Sequence, residues 1–185
     1  MTIRFGCFGI LLAMTGCGGP DVRSYVVPKP HDVPGFAPET ATEFRILGAM
    51  VPAENPVWFF KAAGSASQIA AFEADFDAFL KSLTFPGGPG QPPKWSVAEG
   101  VKTGPPREFR YATLLFPVNG QTVELAVSEA KGGLQANLDR WAGQVGAKST
   151  DGATSPVTLG PVAGLKVSLV GPKNPSDSRA MMAPR

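Results

Sequence analysis

Residues 44–83 read FRILGAMVPAENPVWFFKAAGSASQIAAFEADFDAFLKSL. The apolar period of this stretch changes once, and the change sets the fold class. Phe44 to Val51 and Val57 to Ala63 are short runs rich in Val, Ile, Phe and Trp, separated by Pro52-Ala53-Glu54-Asn55-Pro56. That pattern predicts a β-hairpin. Ser65 and Gln68 then stand at capping-box spacing, where a hydroxyl serves the first helical turn and an amide serves the cap residue. Ile69, Phe72, Phe76, Phe79, Leu80 and Leu83 follow at steps of three, four, three, one and three. This is one helical stripe, with Glu73, Asp75, Asp77 and Lys81 on the wet side.

Further along, residues 84–94 hold four prolines and three glycines and read as a loop, with a short strand expected around Trp95. Phe109 to Val118 and Thr122 to Glu129 flank Asn119-Gly120, a strong hairpin signal. The second of these strands alternates, with Val123, Leu125 and Val127 inward and Glu124, Ala126 and Ser128 outward. After Gly132-Gly133, a second helix carries Leu134, Leu138, Trp141 and Val145 on one face and is expected to end near Gly146. Val157 to Leu159 and Leu165 to Val170 make a last pair of strands around residues 160–164. The expected order is β-β-α-β-β-α-β-β, an α+β domain of antiparallel sheet packed with two amphipathic helices. Phe76 and Trp141 are expected in its core. Phe44-Arg45 and Phe109-Arg110 open the two β-β-α units, a weak sign of internal repetition.

The ends differ from the middle. Arg4 precedes a short apolar run from Phe5 to Met14, an n-region and h-region too short to span a bilayer as a stable helix. Pro20, Pro28, Pro30, Pro34 and Pro38 then mark an extended tether. The resulting division is 1–16 signal peptide, 17–42 tether beginning at Cys17, 43–172 folded domain and 173–185 flexible tail. With 185 residues, 43% hydrophobic and 17% charged, the chain has room for one ordinary core. A net charge of +2 gives no electrostatic case for nucleic acid.

Met14-Thr15-Gly16-Cys17, at the end of the h-region, resembles the lipobox of bacterial lipoproteins. That resemblance implies diacylglyceryl attachment to Cys17, cleavage before it, acylation of the new terminus, and anchoring on the non-cytoplasmic side of a membrane. Residues 45–52, 58–61 and 137–146 are similar to an uncharacterised planctomycete-type bacterial lipoprotein family, a likeness that spans most of residues 22–172. More distantly, the Trp58-Phe59-Phe60-Lys61 strand and the Phe-rich helix running to Ser82 are similar to the PsbP/Mog1 fold group, which implies an α/β/α sandwich that binds partner proteins.

Little else carries chemistry. Only one histidine exists, His31, in the tether; with Cys7 in the signal and Cys17 lipidated, the core is left without imidazole or thiol. No metal or other cofactor is therefore expected. Ser128-Glu129-Ala130-Lys131 and Lys102-Thr103-Gly104 match short marks of penicillin-recognising serine enzymes, but in reversed order and off a helix start. Glu73 and Asp77, one helical turn apart, could chelate a hard cation but read as solvated carboxylates with Lys81 balancing Asp77.

Asn137, Arg140 and Gln144 form a narrow polar stripe about 105° from the apolar face of the second helix. They are expected to hydrogen-bond neighbouring backbone and fix the helix, the other reading being a partner or ligand site. The function expected is a non-enzymatic binding or scaffold lipoprotein of the cell envelope, whose partners are the membrane and another envelope protein. The alternatives are a small-ligand-binding domain or a hydrolase that works without histidine.

Overall fold

A computed structural model describes residues 42–51, 57–130 and 133–176. Cys17, His31, Lys131 and residues 177–185 lie outside the described residues. Among those described, the strands are β1 (Phe44–Val51), β2 (Val57–Ser65), β3 (Lys102–Thr103), β4 (Ala112–Val118), β5 (Gln121–Ala130), β6 (Thr154–Leu159) and β7 (Val162–Gly171). The helices are α1 (Ala66–Ser82) and α2 (Leu134–Val145). All strands join one antiparallel sheet in the order β3-β4-β5-β2-β1-β7-β6. The α+β class and both helices stand as the periodicities predict.

Three local expectations are corrected. No strand forms at Trp95; Lys94 makes an isolated bridge to Thr84, and the extra strand is β3, further on. Trp95 instead packs its ring against Phe79 and Tyr111, so its β-propensity is spent on side-chain contacts. β4 starts at Ala112, because Phe109 sits in a turn. Half of the capping box forms: Ser65 Oγ accepts from the Gln68 amide nitrogen at 3.3 Å, while the Gln68 side chain donates to the Thr122 carbonyl at 3.4 Å.

The two helices lie on opposite faces. Alternation along β1 sends Leu47, Ala49 and Val51 to the cluster under α1, where Phe72, Phe76 and Phe79 are buried. It sends Ile46 and Met50 to the cluster under α2, with Leu138, Trp141 and Val145. Gly48 lies beneath the Trp141 ring, where a Cβ would stand 2.5 Å from Trp141 Cζ3. Absence of a side chain there lets the indole lie on the sheet. Because α2 covers β1 and β7, the same face of β5 and β4 is left to other groups.

On the α1 face, Arg45 and Lys166 reach the helix from β1 and β7. Arg45 Nη1 donates to Glu73 Oε2 at 2.8 Å, and Lys166 Nζ lies 2.9 Å from Glu73 Oε1 and 2.7 Å from Asp77 Oδ1. Glu73 and Asp77 thus hold two cations of the protein itself. The sheet's Lys166 pairs with Asp77, where Lys81 was expected.

Hydrogen bonds from Lys166 and then Arg45 hold the Glu73 carboxyl below its ordinary 4.5. Burial alone would lower the Lys166 ammonium, yet its bonds to Asp77 and Glu73 together raise it above 10.5. The Glu73 contribution to stability is complete above pH 4.5 and is lost as pH falls through the depressed folded value. The Lys166 contribution is present below pH 10.5 and is lost as pH rises through the raised one.

Glu73 is 36% exposed, so water screens the pair and Glu73→Gln should cost only about 1 kcal/mol near neutrality. Urea titrations of both proteins should converge once the pH falls below the depressed folded value, where the wild-type carboxyl is protonated. A gap of the same size at both pH values would remove the charge explanation.

Candidate functional site

The uncovered half-face forms one wall-and-floor groove of about 500 Å³. Its floor is the β2–β5 ladder, with Phe59 opposite Ser128 and Lys61 opposite Ala126. Strand alternation puts these residues, with Glu124, on the side away from α1. One wall is the flank of α2, contributing Arg140, Trp141 and Gln144; the facing wall is the turn Glu108–Arg110. Pro175 and Ser176 also line the groove. The chain is held near there by the Lys173 amide, which donates to the carbonyl of Val145 at 2.9 Å.

Lys61 sits at the centre of the polar contacts. Its Nζ donates to Gln144 Oε1 and stands 5.5 Å from the Trp141 ring centroid, a cation–π arrangement. Glu124 is held by two guanidiniums, Arg107 at 2.8 Å and Arg110 at 2.6 Å. Arg110 also donates to Thr113 Oγ1 at 3.2 Å, so its Nη1 bridges β4 and β5. The half-face that α2 leaves bare is thereby roofed by a loop arginine, and the groove is the gap between that roof and the helix.

The polar stripe divides. Asn137 is buried: its Nδ2 donates to the Gly133 carbonyl at 3.1 Å, and its Oδ1 accepts from Arg140 Nη2 at 2.6 Å. Gly133 caps α2 without a side-chain bond, so Asn137 binds the first turn from within. Arg140 and Gln144 face the groove. Ser128 lies in β5 on the floor, away from any helix start, and Lys102-Thr103 forms the edge strand β3. Among the described residues, no three His, Cys, Asp or Glu side chains are placed to hold a metal ion. Among them, no helix is long and apolar enough to cross a membrane.

Phe109 is the feature that sequence reasoning missed. The Arg110 amide donates to the Arg107 carbonyl at 3.2 Å, closing a turn with Phe109 in third place. Its φ is 60°, in the left-handed region where such turns prefer Gly or Asn. A bulky residue there carries backbone strain. The side chain does not recover that cost by packing, since Phe109 is 86% exposed. Arg-Glu-Phe-Arg contains no glycine or asparagine that would announce a turn, and a run of apolar residues follows.

No family model, curated protein or solved structure matches this chain. The protein is therefore classed by its own architecture: an α+β domain with a seven-stranded antiparallel sheet, a helix on each face, and a groove beside the second helix.

Proposed function

We propose that this chain is a membrane-anchored, non-enzymatic binding or scaffold lipoprotein of the cell envelope, attached through Cys17. The groove beside α2 is its recognition site. The observation that carries the binding role is the half-covered sheet face: a groove of about 500 Å³ walled by a helix and a strained aromatic turn. Sites that bind ligands or partners are concave, with a few convergent polar groups on an apolar frame. Lys61, Gln144 and Arg140 beside Phe59 and Trp141 fit that description.

The anchoring role rests on Met14-Thr15-Gly16-Cys17 after its short apolar run. Two or three acyl chains hold a protein on a membrane far more firmly than one. The Pro-rich residues that follow would hold the domain off the lipid surface.

Cys17→Ser is expected to move the protein from the membrane pellet to the soluble fraction, or to leave the precursor uncut. Continued sedimentation of the variant with membranes, and release by detergent as for wild type, would overturn the anchor.

A further inference from the structure

We infer that the groove beside α2 takes an extended acidic segment of a partner polypeptide, with Phe109 as an anchor at its rim. This rests on the reading of the domain as a binding module and names the chemistry of its partner. Three cations, Lys61, Arg110 and Arg140, reach the groove from β2, the 107–110 turn and α2. Two carboxylates oppose them among the described residues, and one of these, Glu124, is shared by Arg107 and Arg110. Among the described residues the lining thus carries one cation more than carboxylates, a balance that suits an acidic occupant, and Lys61 is held by Gln144 and the Trp141 ring.

Phe109 decides between a small anion and a polypeptide. A small ligand inside the groove would leave this ring in water and its backbone strain without return. A polypeptide running out over the rim covers it. Exposed aromatic and arginine side chains grouped at one concave place are the usual energetic centres of protein interfaces.

The test uses the full chain in detergent and three end-blocked octapeptides that alternate Leu with Glu, Gln or Lys. The Glu peptide is expected to bind at least tenfold more tightly than the Lys peptide. Its affinity should fall with added salt. Its largest chemical-shift changes should fall on the side chains of Lys61, Arg140, Trp141 and Phe109.

Arg140→Glu should weaken the Glu peptide at least tenfold. Phe109→Gly should weaken it similarly while melting no earlier than wild type, because glycine relaxes the left-handed turn. That pairing separates recognition from folding. Equal affinity for all three peptides, no binding, or normal binding by Phe109→Gly would overturn the proposal. Occupation by glutarate alone with the affinity of the Glu peptide would overturn it in favour of a small anionic ligand. Fractionation of Cys17→Ser does not depend on the groove, so the anchor and the partner can fail separately.

Discussion

Phe76→Ala is expected to lower the free energy of unfolding by about 3–5 kcal/mol. Phe76 is fully buried on α1, with its ring centroid 5.9 Å from that of Phe72. Phe72 in turn meets Phe116 of β4 at 5.0 Å, and Phe79 meets Phe60 and Phe116. Each ring is braced by the next, so the neighbours cannot collapse into the space without abandoning their edge-to-face contacts. The loss therefore contains the transfer free energy of the ring and the cavity left behind.

A domain of this size has about 5–15 kcal/mol to lose, so the variant should unfold at a much lower urea concentration. Phe76→Leu keeps most of the volume and should cost clearly less. A Phe76→Ala protein within about 1 kcal/mol of wild type would mean that the α1 layer is not held by this aromatic cluster.

Gly160→Ala should be the most damaging single methyl group in the domain, at about 3 kcal/mol or more. Gly160 turns the chain between β6 and β7 at a φ of 55°. Its amide donates at 3.0 Å to the Leu80 carbonyl at the end of α1, which also accepts from the Leu83 amide at 3.4 Å. A Cβ built there would stand 1.7 Å from the Leu83 carbonyl oxygen, so hairpin and helix end would have to part.

Gly120 provides the control. Its φ is 75°, but nothing lies within 4 Å of its Cβ position. Gly120→Ala should lose only the conformational strain, about 1–2 kcal/mol. Equal destabilisation by the two substitutions, measured by thermal melting, would show that the contact with Leu83 contributes nothing.

How much of this was legible in the sequence depends on whether the cause was local. The α1 stripe and the Asn119-Gly120 turn are written in neighbouring residues, and both form: Asn119 and Gly120 take φ of 49° and 75°. The placement of helices on opposite faces is also encoded, though less plainly. β1 and β2 are apolar at successive positions, as a strand buried on both sides must be, whereas β5 alternates. That contrast marks where cover ends and the groove begins.

The walls of the groove were not legible. Arg140 and Gln144 stand out on a helical wheel, but Lys61 reaches Gln144 across 83 positions of sequence. Phe109 stands between Glu108 and Arg110 and gives no turn signal, and the arginines on either side of its turn, Arg107 and Arg110, both close on Glu124. Such contacts exist only after the sheet has assembled.

The position of β1 sets the order in which that assembly can finish. On one side it pairs with β2, its immediate successor; on the other it pairs with β7, Phe44 meeting Gly171. Until the ribosome has delivered nearly the whole domain, β1 keeps one apolar edge without a mate. The last closure joins segments more than a hundred residues apart, and its entropic cost must be met before the long-range contacts form. Synthesis from the amino terminus therefore yields an incomplete sheet for most of its course, exposed to wrong pairings. Shortening the chain into β7 would remove the strand that completes the centre of the domain, so tolerance to truncation should end abruptly near Gly171.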